Sequence, residues 1–117
     1  MKNADSLGQF EQLVLTGVLL LREQAYGMAV HAKVCELGGR QVLLPAVYVT
    51  LDRLEDKGYV TSWLTDPTPE RGGRAKRCFR LLALGERALQ ESASTSRRIV
   101  DAVEEGWSGR WKPRRAK

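Results

Sequence analysis

Hydrophobic positions along the chain recur every three or four residues in four stretches and every second residue in two. That change of period predicts the elements. The first stretch predicts a helix over about Leu7–Glu23, with Phe10, Leu13, Val14, Gly17, Leu20 and Leu21 on an inner face. Ser6 and Gln9 have the spacing of a capping box at its start. A second helix is predicted over Ala25–Leu37, with Met28, Ala29, Ala32 and Cys35 near one side and the stop Gly38-Gly39 behind it. Arg40–Leu44 is a connector with room for a small strand at Gln41–Leu43. The third helix runs from Pro45, suited to a first helical position, to Gly58, where a left-handed stop is cheapest. Val47, Leu51 and Leu54 share its apolar face.

After Gly58 the period becomes two. Tyr59–Thr65 reads as a strand, and Asp66-Pro67-Thr68-Pro69 cannot continue it because proline brings no N–H to the ladder. Arg71-Gly72-Gly73-Arg74 makes a tip. Lys76–Leu82 returns, with Cys78, Arg80 and Leu82 on one side and Arg77, Phe79 and Leu81 on the other. From Ala83 to Trp107 the helical period resumes through Leu89, Ala93, Ser96, Ile99, Val100, Val103 and Trp107. A stripe of that length exceeds what one small domain can cover, so it is expected to meet a second chain, with Phe10 and Leu13 of the first helix helping.

The expected fold class is therefore mainly α (α+β): a winged helix-turn-helix over residues 1–82, a long C-terminal dimerisation helix over 83–107, and a basic tail over 108–117.

Within the third helix, at about 100° per residue, Ala46, Thr50, Arg53 and Lys57 fall on one strip, while Asp52, Glu55 and Asp56 fall elsewhere. Thr50 on that strip is placed to meet a thymine methyl or a base edge, and Arg53 a guanine or a phosphate. An ordinary amphipathic surface helix would carry the same pattern, so the helix alone leaves both readings open.

Charge changes the balance. The chain has 117 residues, 19 Lys and Arg, 14 Asp and Glu, and a formal net charge of +5. Arg71, Arg74, Lys76, Arg77 and Arg80 crowd into 71–80, and Arg110, Lys112, Arg114, Arg115 and Lys117 into 108–117, with no acid in either run. Without those two runs the net charge is −5. Positive charge gathered beside a helix-turn-helix is a footprint for a polyanion.

Other chemistry is thin. Cys35 and Cys78 have no CxxC or histidine partner at ligand spacing and read as small buried hydrophobes. His31 stands alone, so no metal and no histidine-based nucleophile is expected. No phosphate-binding glycine loop or nucleophile elbow is present, and Asp52 with Asp56 reads as a solvated face. An enzyme is not expected, nor is a cofactor. The apolar run Leu13–Leu21 lacks the flanks of a secretory leader and is too short to span a bilayer, so the expected location is the cytoplasm.

The string Tyr48-x-x-Leu51-x-Arg53-Leu54-Glu55-x-x-Gly58 is specific. With Phe10-Glu11, Leu15, Tyr26-Gly27 and Phe79-x-Leu81-x-x-x-Gly85, it resembles the short members of the PadR family of bacterial transcriptional regulators, over roughly Leu7–Leu89. The resemblance implies a winged-helix homodimer built on the C-terminal helix and repression at a roughly palindromic operator on double-stranded DNA. It also implies that Tyr48 meets the DNA backbone, and it leaves Arg53 open between base reader and structural residue. The chain departs from the family at Phe79, where Tyr is common, and at Leu82, where Thr is common and would cap the last helix.

The DNA-contacting set expected from all this is Ala46, Tyr48, Val49, Thr50, Arg53, Arg71, Arg74, Lys76 and Arg77. Two further function classes stay open. One is a sensor of a small aromatic molecule at the dimer interface, with Phe10, Trp107 and Trp111 stacking on it. The other is a winged-helix protein-interaction module, which would not need positive charge concentrated on its wing.

Overall fold

The computed structural model describes residues 7–65 and 75–110, apart from the side chains of 109 and 110. Its elements are α1 (Gln9–Leu21), a 3-10 turn (Arg22–Gln24), α2 (Gly27–Gly38), α3 (Leu44–Asp56), β1 (Val60–Leu64), β2 (Arg77–Leu81) and α4 (Ala83–Glu105), closed by a π-helical turn (Gly106–Arg110). This is the mainly helical winged helix-turn-helix with a long last helix that the periodicity predicts.

Each helix end has a local cause. α1 begins at Gly8, whose N–H donates to the Glu11 carboxylate at 3.1 Å. The cap is therefore two residues later than the Ser6 signature, and Ser6 itself lies outside the described residues. The packed residues of α1 are Val14, Leu15, Gly17 and Val18. Leu20, expected inside, is exposed, because Leu19, Leu20 and Leu21 stand about 100° apart round the helix and cannot all face one core. α2 likewise packs through Gly27, Val30 and Val34, leaving Met28 and Ala32 exposed. It stops where Gly39 takes φ +72° and its N–H reaches the Cys35 carbonyl at 3.0 Å. α3 carries Pro45 in its first turn and ends where Tyr59 N–H reaches the Leu54 carbonyl at 2.9 Å, with Gly58 at φ +81°. No strand forms at 41–43.

The wing is an antiparallel pair with Val60 opposite Leu81, Ser62 opposite Phe79 and Leu64 opposite Arg77. Its far edge is also held: Phe79 N–H donates to the Ala25 carbonyl at 2.9 Å, and Tyr26 bridges Cys78. That extra rung explains why Cys78 and Phe79 are both buried although they face opposite sides of the strand. Cys35, expected to be buried, is only half-buried.

One core unites α1, α2, α3 and the wing. Leu15, Val30, Val34, Val47, Leu51, Leu54 and Phe79 are fully covered. α4 joins it only through its first turns, by Gly85, Ala88 and Leu89. Leu89, expected at a dimer interface, is thus part of the protomer's own core. No helix among the described residues is long and apolar enough to cross a membrane.

Candidate nucleic-acid interface

α3 is seated by Val47, Thr50, Leu51 and Leu54, all buried. What it presents outward begins with Pro45, Ala46 and Val49, half-exposed at 50%. Arg53, one turn further on, is exposed. The first carboxylate of the helix is Asp52, so its first two turns offer no negative charge. Such a surface, at the positive end of the helix dipole, can approach an anion without repulsion.

The strip expected from angle alone is split by packing. Thr50 is 6% exposed, so its hydroxyl is not on the presented surface. It stands three residues after Val47 and four before Leu54 and turns inward with them. Lys57 is taken by the Glu11 carboxylate of α1 at 3.2 Å and lies over the Tyr59 ring. Ala46 and Arg53 remain outside, beside Val49.

Tyr48 is half-buried. A Cβ on Gly27 would stand 2.0 Å from the Tyr48 hydroxyl, so the ring lies directly on the first turn of α2. Lys76 places its Nζ 5.2 Å from the Tyr26 ring centroid, next in sequence to Gly27. Tyr26, Tyr48 and Lys76 therefore gather at the N-terminus of α2. The wing closes toward its tip where Thr65 N–H donates to the Lys76 carbonyl at 2.8 Å. Arg71 and Arg74 lie outside the described residues.

Arg77 departs most from expectation. Its guanidinium, though partly exposed, is turned onto α3. It meets Asp52 at 3.1 Å and Glu55 at 2.8 Å, donates to the Ser62 hydroxyl at 3.1 Å, and lies 4.9 Å from the Phe79 ring centroid. Ser62 in turn donates to Glu55 at 2.9 Å. Two of the three carboxylates of α3, Asp52 and Glu55, thus face the wing at Arg77. Sequence reasoning missed this cluster, although two signals were present. Asp52 and Glu55 are three residues apart, and strand alternation puts Arg77 on the side of Phe79, the side that packs.

A second cluster was also missed. Arg80 stacks on Trp63 at 5.2 Å, and both line a groove of about 330 Å³ with Val18, Leu19, Arg22 and Glu86. Among the described residues, no group of His, Cys, Asp and Glu is arranged to hold a metal ion.

The residues expected at a dimer interface fall into three groups. Ile99, Val100 and Val103 on α4, and Trp107 in the π-helical turn after it, are each about half-exposed. Ala93 lines a groove of about 320 Å³ with Leu19, Leu81 and Leu89. Phe10 and Leu13 pack partly on the core, and Ser96 shares hydrogen bonds with the Gln12 side chain at 3.3 and 3.5 Å.

The model of the transcriptional regulator PadR-like family matches residues 17–91, more than half of the chain. Among solved structures, a PadR-like transcriptional regulator from Bacillus cereus aligns with a TM-score of 0.71 at 18% identity, over 85% of this chain and 91% of that one. A PadR family transcriptional regulator from Eggerthella lenta aligns with a TM-score of 0.67 at 24% identity, over 84% and 83%. The Orc1 protein of Aeropyrum pernix, solved in complex with DNA, aligns with a TM-score of 0.60 at 25% identity, over 78% of this chain and 26% of that one. No curated protein matches. The chain belongs to the PadR-like family of transcriptional regulators.

Proposed function

From that membership we propose that the chain is a homodimeric, sequence-specific DNA-binding regulator that represses transcription by covering a promoter. The observation that carries the proposal is the uncharged, outward-facing start of α3, with Ala46 and Val49 leading and Arg53 behind. A helix entering the major groove reads base edges with its N-terminal residues, which are here free of carboxylates.

Around it stand groups suited to phosphate. Tyr48 lies on the first turn of α2, and Lys76 stands beside Tyr26. Backbone N–H groups at a helix start and a nearby ammonium hold phosphate oxygens and fix register without reading sequence. Arg71 and Arg74, on the same wing in sequence, extend this set. The likeness to the Aeropyrum Orc1 protein, solved with DNA, supports the reading.

Two copies would join through the stripe Ile99, Val100 and Val103 of α4, continued by Trp107 in the turn behind it, with Ala93, Phe10 and Leu13 beside it. Their α3 helices would enter successive major grooves about 34 Å apart on a roughly palindromic operator. A regulator of this kind works where the chromosome is, in the bacterial cytoplasm.

A gel shift with the DNA upstream of the chain's own gene, repeated at two salt concentrations, tests the proposal. A retarded band that weakens steeply as salt rises is the expected result, because each neutralised phosphate releases counterions. No band at the lower salt would leave a winged-helix protein-interaction module as the better account.

A further inference from the structure

We infer that Arg77 is a positioning residue for DNA recognition: its guanidinium braces the wing against the reading helix and masks two carboxylates that would otherwise face the duplex. This rests on the DNA-binding reading above.

The geometry is that of a brace. Three elements meet at one side chain: Asp52 and Glu55 come from α3, Ser62 from β1, and Arg77 itself from β2. Arg77 is opposite Leu64, the last paired rung before the wing tip. An anchor there holds the outer end of the β1–β2 pair against α3. A lone exposed ion pair would do little, since solvent screens it and two long side chains must be ordered to make it. Here the fork engages two carboxylates at once, the Ser62 hydroxyl ties the network to β1, and the flat face lies over the fully buried Phe79 ring. Planar guanidinium suits that combination of fork and stack, and an ammonium does not.

The masking follows from charge. Asp52 is the outermost of the three partners and sits on the exposed side of α3. Left unpaired, Asp52 and Glu55 would present two negative charges between the reading helix and the wing, where phosphates would pass. With Arg77 in place the local charge falls to one. The cost is a cation that cannot also grip DNA, so phosphate contact from the wing falls to Lys76 and its neighbours.

The rival role, a phosphate contact made when Arg77 swings out, predicts the opposite sign in one experiment. Asp52→Ala/Glu55→Ala removes two carboxylates near the duplex and releases Arg77, while alanine keeps the helix. For a phosphate contact, binding tightens. For a brace, binding weakens on the order of tenfold despite the gain in positive charge. Arg77→Met added to that double variant gives the second arm. With the carboxylates gone, a brace leaves the salt slope unchanged, whereas loss of one phosphate contact lowers that slope by about 0.9. Tighter binding by the double variant, or a lower slope once Arg77→Met is added, would overturn the inference.

Hydrogen exchange of residues 60–64 and 77–81 without DNA completes the test. Both variants are expected to exchange faster there than wild type, with protection in α1 and α2 kept. If wild-type protein binds no upstream DNA, the DNA reading fails on its own account. Exchange then decides the brace, and unchanged wing protection in both variants would sink it.

Discussion

Gly85 has no room for a side chain. A Cβ there would stand 2.2 Å from the Tyr59 carbonyl oxygen and 2.9 Å from its carbon. That carbonyl also accepts the Leu82 N–H at 2.9 Å, so it cannot withdraw without losing the bond that starts α4. Gly85→Ala is therefore expected to cost about 3 kcal/mol, read in thermal denaturation as a fall in Tm on the order of 10 °C. Arg53 presents the contrary case, an exposed side chain with room around it. Arg53→Ala is expected to leave Tm within a few degrees. If Arg53 reads a base, the change costs about 1–3 kcal/mol of specific DNA affinity and relaxes preference at one operator position, measured by binding to an operator library. Uniform loss across the library would make it a phosphate contact instead. At this scale the sequence did well on type and poorly on direction. Thr50 and Arg53 lie on the same strip by angle, yet Thr50 is buried, because the core of α3 is wide enough to take in its hydroxyl-bearing edge.

At the scale of elements, the cap of α4 is the clearest weakness. Leu82 occupies the N-cap position in extended conformation and supplies no side-chain acceptor. Leu82→Thr is expected to raise stability by about 1 kcal/mol, measured by denaturant titration, because a hydroxyl would satisfy one of the first free N–H groups of the helix. A loss of stability would mean that the partly exposed Leu82 side chain packs more than its exposure suggests. The elements themselves were legible because periods of 3.6 and 2 are imposed by the backbone. Their inward faces were less so. In α1 the run Leu19-Leu20-Leu21 spreads apolar residues over more than half of the helix circumference, and only contact with α2 and the wing selects Val14, Leu15 and Val18. Cys78 is buried for a similar reason: Ala25 and Tyr26 pair with the outer edge of β2, an interaction between segments far apart in sequence.

Over the whole molecule, the outer half of α4 stands clear of the domain. The Cα radius of gyration is 18.0 Å, against about 13 Å for a compact chain of this length. From residue 97 to 105 every position of α4 is exposed, and Ile99, Val100 and Val103 line up among them. An apolar stripe on an isolated helix is not held by its own protomer and is best covered by another. If two copies pair through this stripe as proposed, Val103→Glu shifts the protein to monomer in sedimentation velocity while the circular dichroism of the winged domain persists. DNA binding should weaken with it, since two half-sites would no longer be engaged at once. A dimer that survives the change would place the interface elsewhere.

The sequence by itself determined the order and kind of the elements, the winged helix-turn-helix and the length of its last helix, since these follow from backbone periodicity, turn chemistry and the Tyr48–Gly58 string. Only the tertiary structure decided which side chains of those elements are available. Thr50 and Leu89 went to the core, Lys57 to Glu11, and Arg77 to Asp52 and Glu55. Each of those outcomes depends on a partner distant in the sequence or on how wide a face its neighbours bury, and neither is encoded in the spacing of residues along one element.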